Sequence, residues 1–152
     1  LLKELPQVRM GSVTYPIRLA LHGPYHTALA RSVSDAARAR FADLAFAPPR
    51  TTLIDGRGRT FSPWSTDLDA LRDYTLGHQV TEPYDFTASV RVALREFAPD
   101  HLVLPGPGNT LGGIVGQVMV EECWGGIASK ADFQAAQAEG EPFVVSMGMP
   151  AR

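Results

Sequence analysis

The chain reads as an α/β protein with a parallel β-sheet core and flanking helices. Three observations predict this. Short strand-like runs recur at 17–21, 51–55 and 101–105, each closed by a Gly or Pro turn signal. Between them, apolar residues return at three- and four-residue spacing, the period of a helix packed on one face. Strand and helix then alternate along the chain, which makes the strands parallel and covers the sheet on both faces. Three strands are few for such a sheet, so the pattern resembles half of one.

Taken in order, residues 1–15 show weak periodicity and read as a connector from something upstream. Pro16 precedes the first strand, IRLAL. Gly23 and Pro24 fix a sharp turn after it, and His26 falls at the junction with the next helix. That helix is expected over about 27–45, capped by Thr27, with Leu29, Val33, Ala36, Ala37, Phe41 and Leu44 as its inward stripe, and stopped by Pro48 and Pro49. TTLID, 51–55, is a strand, and Gly56 and Gly58 supply its turn. A loop containing Trp64 follows. Thr66 with Asp69 suggests a capping box for a helix closed by His78 and Gln79. Pro83 separates it from a helix that Asp85 caps and Pro99 ends, with Phe86, Val90, Ala93, Leu94 and Phe97 on one stripe. HLVLP, 101–105, is a strand, and GPGNTLGG turns into a helix ending near Met119. A short helix over 129–138 and a strand within 141–147 complete the pattern.

Composition narrows the function. Hydrophobic residues are 45% of the 152 and charged residues 20%, as in a globular domain. A formal charge of -2 disfavours a nucleic-acid partner. The most apolar stretch, 111–120, is too short to span a bilayer, and no secretory leader opens the chain, so the cytoplasm is expected. The chain opens at Leu1 without a methionine, so a leader or a whole preceding region could have been removed. One cysteine, Cys123, excludes an internal disulfide and any cysteine cluster for metal; it reads as a small buried hydrophobe, with a nucleophile as the alternative.

His26 is the leading candidate for a general base, because an imidazole changes charge near neutral pH and a strand end holds its backbone still. The alternative is a turn-stabilising histidine. His22 lies four residues earlier, but the intervening Gly-Pro turn denies the pair a helical metal-binding spacing, and no metal is expected. His78 and His101 read as surface or packed residues. GPGNT, 106–110, could cradle a phosphate at a helix start, or simply be a tight turn; it lacks the full nucleotide fingerprint. No serine sits in G-x-S-x-G, and no paired acid–base carboxylates emerge. Asp67, Asp69 and Asp73 read as a solvated face and a cap.

PIRLALHGPYHTALA, FADLAFAPP, TTLIDGRG, LGHQVTEPYDFTASV and HLVLPGPGNTLGG resemble, in order and spacing, segments of the malonyl-CoA:acyl carrier protein transacylases and the acyltransferase domains of polyketide synthases. The resemblance covers 16–118 and leaves 119–152 as a carboxy-terminal extension. It implies the carboxy-terminal half of an α/β-hydrolase-like acyltransferase domain, without the ferredoxin-like subdomain. His26 falls on the family's catalytic histidine. Gln79 falls on the residue whose backbone carbonyl orients that imidazole. Tyr25 matches a position tied to acyl selection, where an aromatic resembles the malonyl type; the alternative is a tyrosine packed on the turn. The family's G-H-S-x-G serine, carboxylate-clamping arginine and oxyanion-hole glutamine are absent from this chain. The resemblance therefore implies a partner, the missing amino-terminal half with the serine, together with acyl carrier protein and malonyl-CoA as substrates and no cofactor. It implies malonyl transfer in fatty acid or polyketide synthesis. A non-catalytic docking domain on the same scaffold and a serine thioesterase or hydrolase are the competing readings.

Overall fold

A computed structural model describes residues 4–17, 23–106, 108, 110–139 and 141–148. The architecture is mixed α/β, with its strands in two-stranded sheets. The strands β1 (Val8–Met10) and β2 (Val13–Tyr15) form an antiparallel hairpin through the turn at Gly11, whose φ is +63°. The segment expected as a connector is thus a hairpin; two three-residue strands are too short to register as an alternating pattern. Of the first expected strand, residues 18–21 lie outside the described residues, as does His22.

A tight turn of 3-10 helix at Ala28–Ala30 leads into α1 (Arg31–Arg40), shorter than the expected helix and ended well before Pro48. Thr27 does not cap it by side chain: its hydroxyl donates back to the Pro24 carbonyl at 2.8 Å. The expected apolar stripe also faces the other way. Leu29 is 80% exposed and Val33 61%, while Ala30 and Ser34 are buried. Small residues let the helix approach its neighbour closely, and the Ser34 hydroxyl donates to the Leu76 carbonyl at 2.6 Å.

The expected strand at 51–55 is β3 (Leu53–Ile54), which pairs antiparallel with β4 (Thr60–Phe61). The helix α2 (Leu68–Asp73) follows. Its cap is Asp67, whose carboxylate accepts from the Asp69 and Ala70 amides, rather than the expected Thr66; the Thr66 hydroxyl donates to the Ser62 carbonyl instead. The helix continues through a widened π-turn at Tyr74–His78 into α3 (Gln79–Thr81).

The main core gathers behind this segment. It is built by α4 (Phe86–Phe97), β5 (Leu102–Leu104), α5 (Thr110–Glu121), α6 (Lys130–Ala138) and β6 (Val144–Ser146). Asp85 caps α4 as expected, accepting from the Ala88 amide at 2.8 Å. Strands β5 and β6 run parallel, Leu102 opposite Val144, joined by a crossover through α5 and α6. Val90, Leu94, Val115, Val118, Met119, Ile127 and Val144 interlock, with Leu94 fully buried. Each such aliphatic side chain contributes roughly 2 kcal/mol by leaving water. Residues 119–152, which have no place in the family resemblance, supply Met119, Ile127 and Val144 to this core. Glu122 ties α4 down from outside, accepting from Arg91 Nε at 2.5 Å and from Arg95, and these donors hold its carboxyl below the usual range.

Cys123 is exposed, contrary to expectation, in a left-handed conformation (φ +49°) that turns the chain off the end of α5. A second, smaller cluster joins Phe61, Leu71 and Tyr74, with Phe46 against it. No helix among the described residues is long and apolar enough to cross a membrane.

Candidate functional site

His26 sits in the turn before α1, half-buried, with φ +57°. A side chain in that left-handed region costs on the order of 1 kcal/mol, so neighbouring contacts must hold it there. The turn is closed by the Thr27–Pro24 bond and by the Ala30 amide donating to the Thr27 carbonyl at 3.0 Å. The imidazole then reaches across the fold: Nδ1 lies 2.5 Å from the backbone oxygen of Gln79, 53 residues away.

That carbonyl is free for a local reason. At the end of α3 the Glu82 amide donates to the His78 carbonyl at 2.9 Å. A continuing helix would next bond Gln79 O to the amide of residue 83, but Pro83 has no N–H. Proline also pushes the residue before it out of helical space, and Glu82 is extended (φ -118°, ψ 154°). The helix stops there, and the Gln79 carbonyl, denied an amide four residues on, is left for the imidazole.

Both ends of the link ride on one fastened pair of elements. Ser34 bonds Leu76, and Arg38 Nη1 on α1 donates to Asp73 Oδ1 at 2.7 Å. Arg72 reaches over to the Phe41, Ala42 and Leu44 carbonyls, holding the chain just past the end of α1. A carbonyl can only accept a hydrogen bond, so His26 carries its proton on Nδ1 when neutral. The other ring nitrogen, Nε2, is then the one with a lone pair to give.

Tyr25 is 64% exposed and folds back on the turn, where a Cβ at Gly23 would lie 3.3 Å from the ring's Cζ. Among the described residues no serine, threonine or cysteine bonds the His26 ring. A cavity of about 220 Å³ opens beneath hairpin β3–β4, lined by Ile54, Asp55, Phe61, Leu71, Tyr74 and Gln79 among others; His26 and Tyr25 do not line it.

The other candidates have structural partners. His78 stacks on Tyr74, with ring centroids 5.8 Å apart. His101 lies 3.3 Å from the Pro142 carbonyl and 3.7 Å from Glu141. Asp67 caps and Asp73 pairs with Arg38. Gly106 and Gly108 take φ of +95° and +78°, and the Ser146 hydroxyl of β6 donates to the Gly108 carbonyl at 3.4 Å; Pro107 and Asn109 of this stretch lie outside the described residues. No group of three or more histidine, cysteine, aspartate or glutamate side chains among the described residues could hold a metal ion.

The turn expected at Gly56 and Gly58 is present, but sequence reasoning missed the buried carboxylate inside it. Asp55 is buried and its carboxylate accepts from the amides of Arg57 and Arg59 and from the Arg57 guanidinium. Burial pushes its carboxyl up, but the Arg57 side chain and these amides outweigh that and hold it below the usual value. The Gly56 amide donates to the Tyr74 hydroxyl at 2.7 Å, and burial raises the Tyr74 phenol. An aspartate two residues ahead of an arginine in a Gly-rich turn was the available signal. Comparison with models of known families, with characterised proteins and with solved structures finds no match for this chain.

Proposed function

We propose that this chain carries the acid–base half of an acyltransferase site, with His26 as the base and the Gln79 carbonyl as its orienting acceptor. The observation that supports it is the 2.5 Å link from His26 Nδ1 to Gln79 O, which leaves Nε2 as the basic nitrogen. A neutral acceptor fixes the ring without a carboxylate, as the resemblance to the malonyl-CoA:acyl carrier protein transacylases implies and as a Ser-His-Asp hydrolase would not require.

In this reading a serine outside the chain approaches Nε2. Its hydroxyl proton passes to Nε2 as its oxygen bonds the thioester carbon of malonyl-CoA. The carbon–sulfur bond then breaks, and the imidazolium returns the proton to the departing coenzyme A thiolate. The phosphopantetheine thiol of acyl carrier protein gives its proton to Nε2, attacks the acyl-serine, and the serine oxygen leaves reprotonated. The chemistry needs no metal or redox cofactor. Tyr25, next to the base, would crowd a branched acyl group. A cytoplasmic setting goes with this reading.

The test is to incubate the polypeptide that carries the serine, together with this chain, with malonyl-CoA. Intact mass should rise by one malonyl group and fall again when carrier protein is added. Failure to label selects the docking-domain reading. Release of free malonate regardless of carrier selects a hydrolase.

A further inference from the structure

We infer that Tyr84, seated on Gly56, is a positioning residue for His26. This rests on the reading of His26 as the base and adds a residue to that same site. The ring of Tyr84 lies beside the imidazole, with centroids 5.5 Å apart and planes at 50°. That is the tilted arrangement that aromatic rings favour. The Gln79 carbonyl fixes one ring nitrogen, but a single hydrogen bond leaves the imidazole free to rock about it. The Tyr84 ring is a second contact, and two contacts define a plane.

Tyr84 is itself held. The amide of the next residue, Asp85, donates to the Gly56 carbonyl at 2.8 Å. The ring lies flat on Gly56: a Cβ there would come within 2.7 Å of Tyr84 Cε2 and closer to Cδ2. Any side chain there would push the Tyr84 ring off this seat. Gly56 in turn is pinned through its amide to the Tyr74 hydroxyl and by the Asp55–Arg57 turn on either side. Beneath the turn, the Ser89 hydroxyl donates to the Asp55 carbonyl at 2.7 Å. A half-buried ion pair, a glycine, a tyrosine and the base thus form one supported column. Displacing a base by a fraction of an ångström is costly to proton transfer, which gives such a column its use.

The experiment reads the imidazole directly. Long-range nitrogen–proton NMR of the whole chain should show His26 as the Nδ1–H tautomer, with a slowly exchanging proton and a nuclear Overhauser contact to the Tyr84 ring. Tyr84→Leu should mix the tautomers and speed that exchange with the circular dichroism unchanged. Tyr84→Phe should restore the wild-type signature, since it keeps the ring. Gly56→Ala should reproduce the leucine phenotype from a distance. With the serine-bearing half and malonyl-CoA, Tyr84→Leu should lower kcat roughly 10-fold with KM little changed. An unaltered His26 tautomer in Tyr84→Leu, or no Overhauser contact in the wild type, overturns the inference. Should Tyr84→Leu not fold, the wild-type contact and Gly56→Ala still decide it. If the imidazole responds but no variant, nor the wild type, transfers malonate, the reading of His26 as base fails while the contact stands.

Discussion

Asp55 and Arg57 face each other across 2.5 Å, the carboxylate almost wholly buried and the guanidinium at its mouth. Their turn is what folds β3 back onto β4, and it stands under the candidate base. The guanidinium also lies 4.7 Å over the Tyr74 ring, so one cation fastens two elements.

Asp55→Asn should destabilise the protein by about 2 kcal/mol, because the Arg57 guanidinium loses its charge partner while the two amides keep an acceptor. The same group gives a pH dependence. Its carboxyl is held below the ordinary 3.8, so the folded state favours the charged form. That contribution is fully present above the ordinary value and is lost as pH falls through the lower folded value. Urea melts between neutral pH and the acid limit check both, and Asp55→Asn should flatten the acid end of the curve.

Two neighbours on α1 should behave oppositely. Val33→Asp should change stability by no more than about 0.5 kcal/mol in this chain, since the side chain faces solvent. Ser34→Val should cost about 2 kcal/mol, because the buried Leu76 carbonyl loses its donor. Thermal unfolding of the pair tests which face of the helix is packed.

His26→Ala should abolish acyl transfer in the assembled enzyme and leave the circular dichroism intact. Gln79→Ala should be milder, since the acceptor belongs to the backbone. A defect as deep in Gln79→Ala as in His26→Ala would assign the chemistry to the amide side chain.

Pro83→Ala should let α3 run on by a residue and offer Gln79 O an amide of its own. The hydrogen bond from His26 should weaken, seen as faster exchange of its Nδ1 proton, with stability changed by only about 1 kcal/mol. Unchanged exchange would mean that proline has no part in freeing the carbonyl.

The carboxy-terminal half of the fold was legible because its signals are local and strong. Asp85 caps α4, Val90 and Leu94 mark its buried face, and an apolar run forms α5. The first half was less so. The stripe of large residues on α1 pointed to the wrong face because a helix that docks through Ala30 and Ser34 packs by its small side chains, which hydropathy underweights. Cys123 reads in sequence as a small buried residue, but it occupies a left-handed position where the chain turns, and that is set by backbone geometry. Strand β3 pairs with β4 through a turn whose buried aspartate reads, in sequence, like any polar loop residue. The pairing of His26 with Gln79 came from resemblance alone; 53 residues separate them, and no periodicity spans that distance.

A hydrogen-bond acceptor made of main chain has a consequence for how this protein can change over generations. Mutation can exchange the group hanging from position 79 for any other without erasing the oxygen that the imidazole meets. The vulnerable letter lies four codons downstream, where a missing amide hydrogen keeps that oxygen open to the ring by being absent.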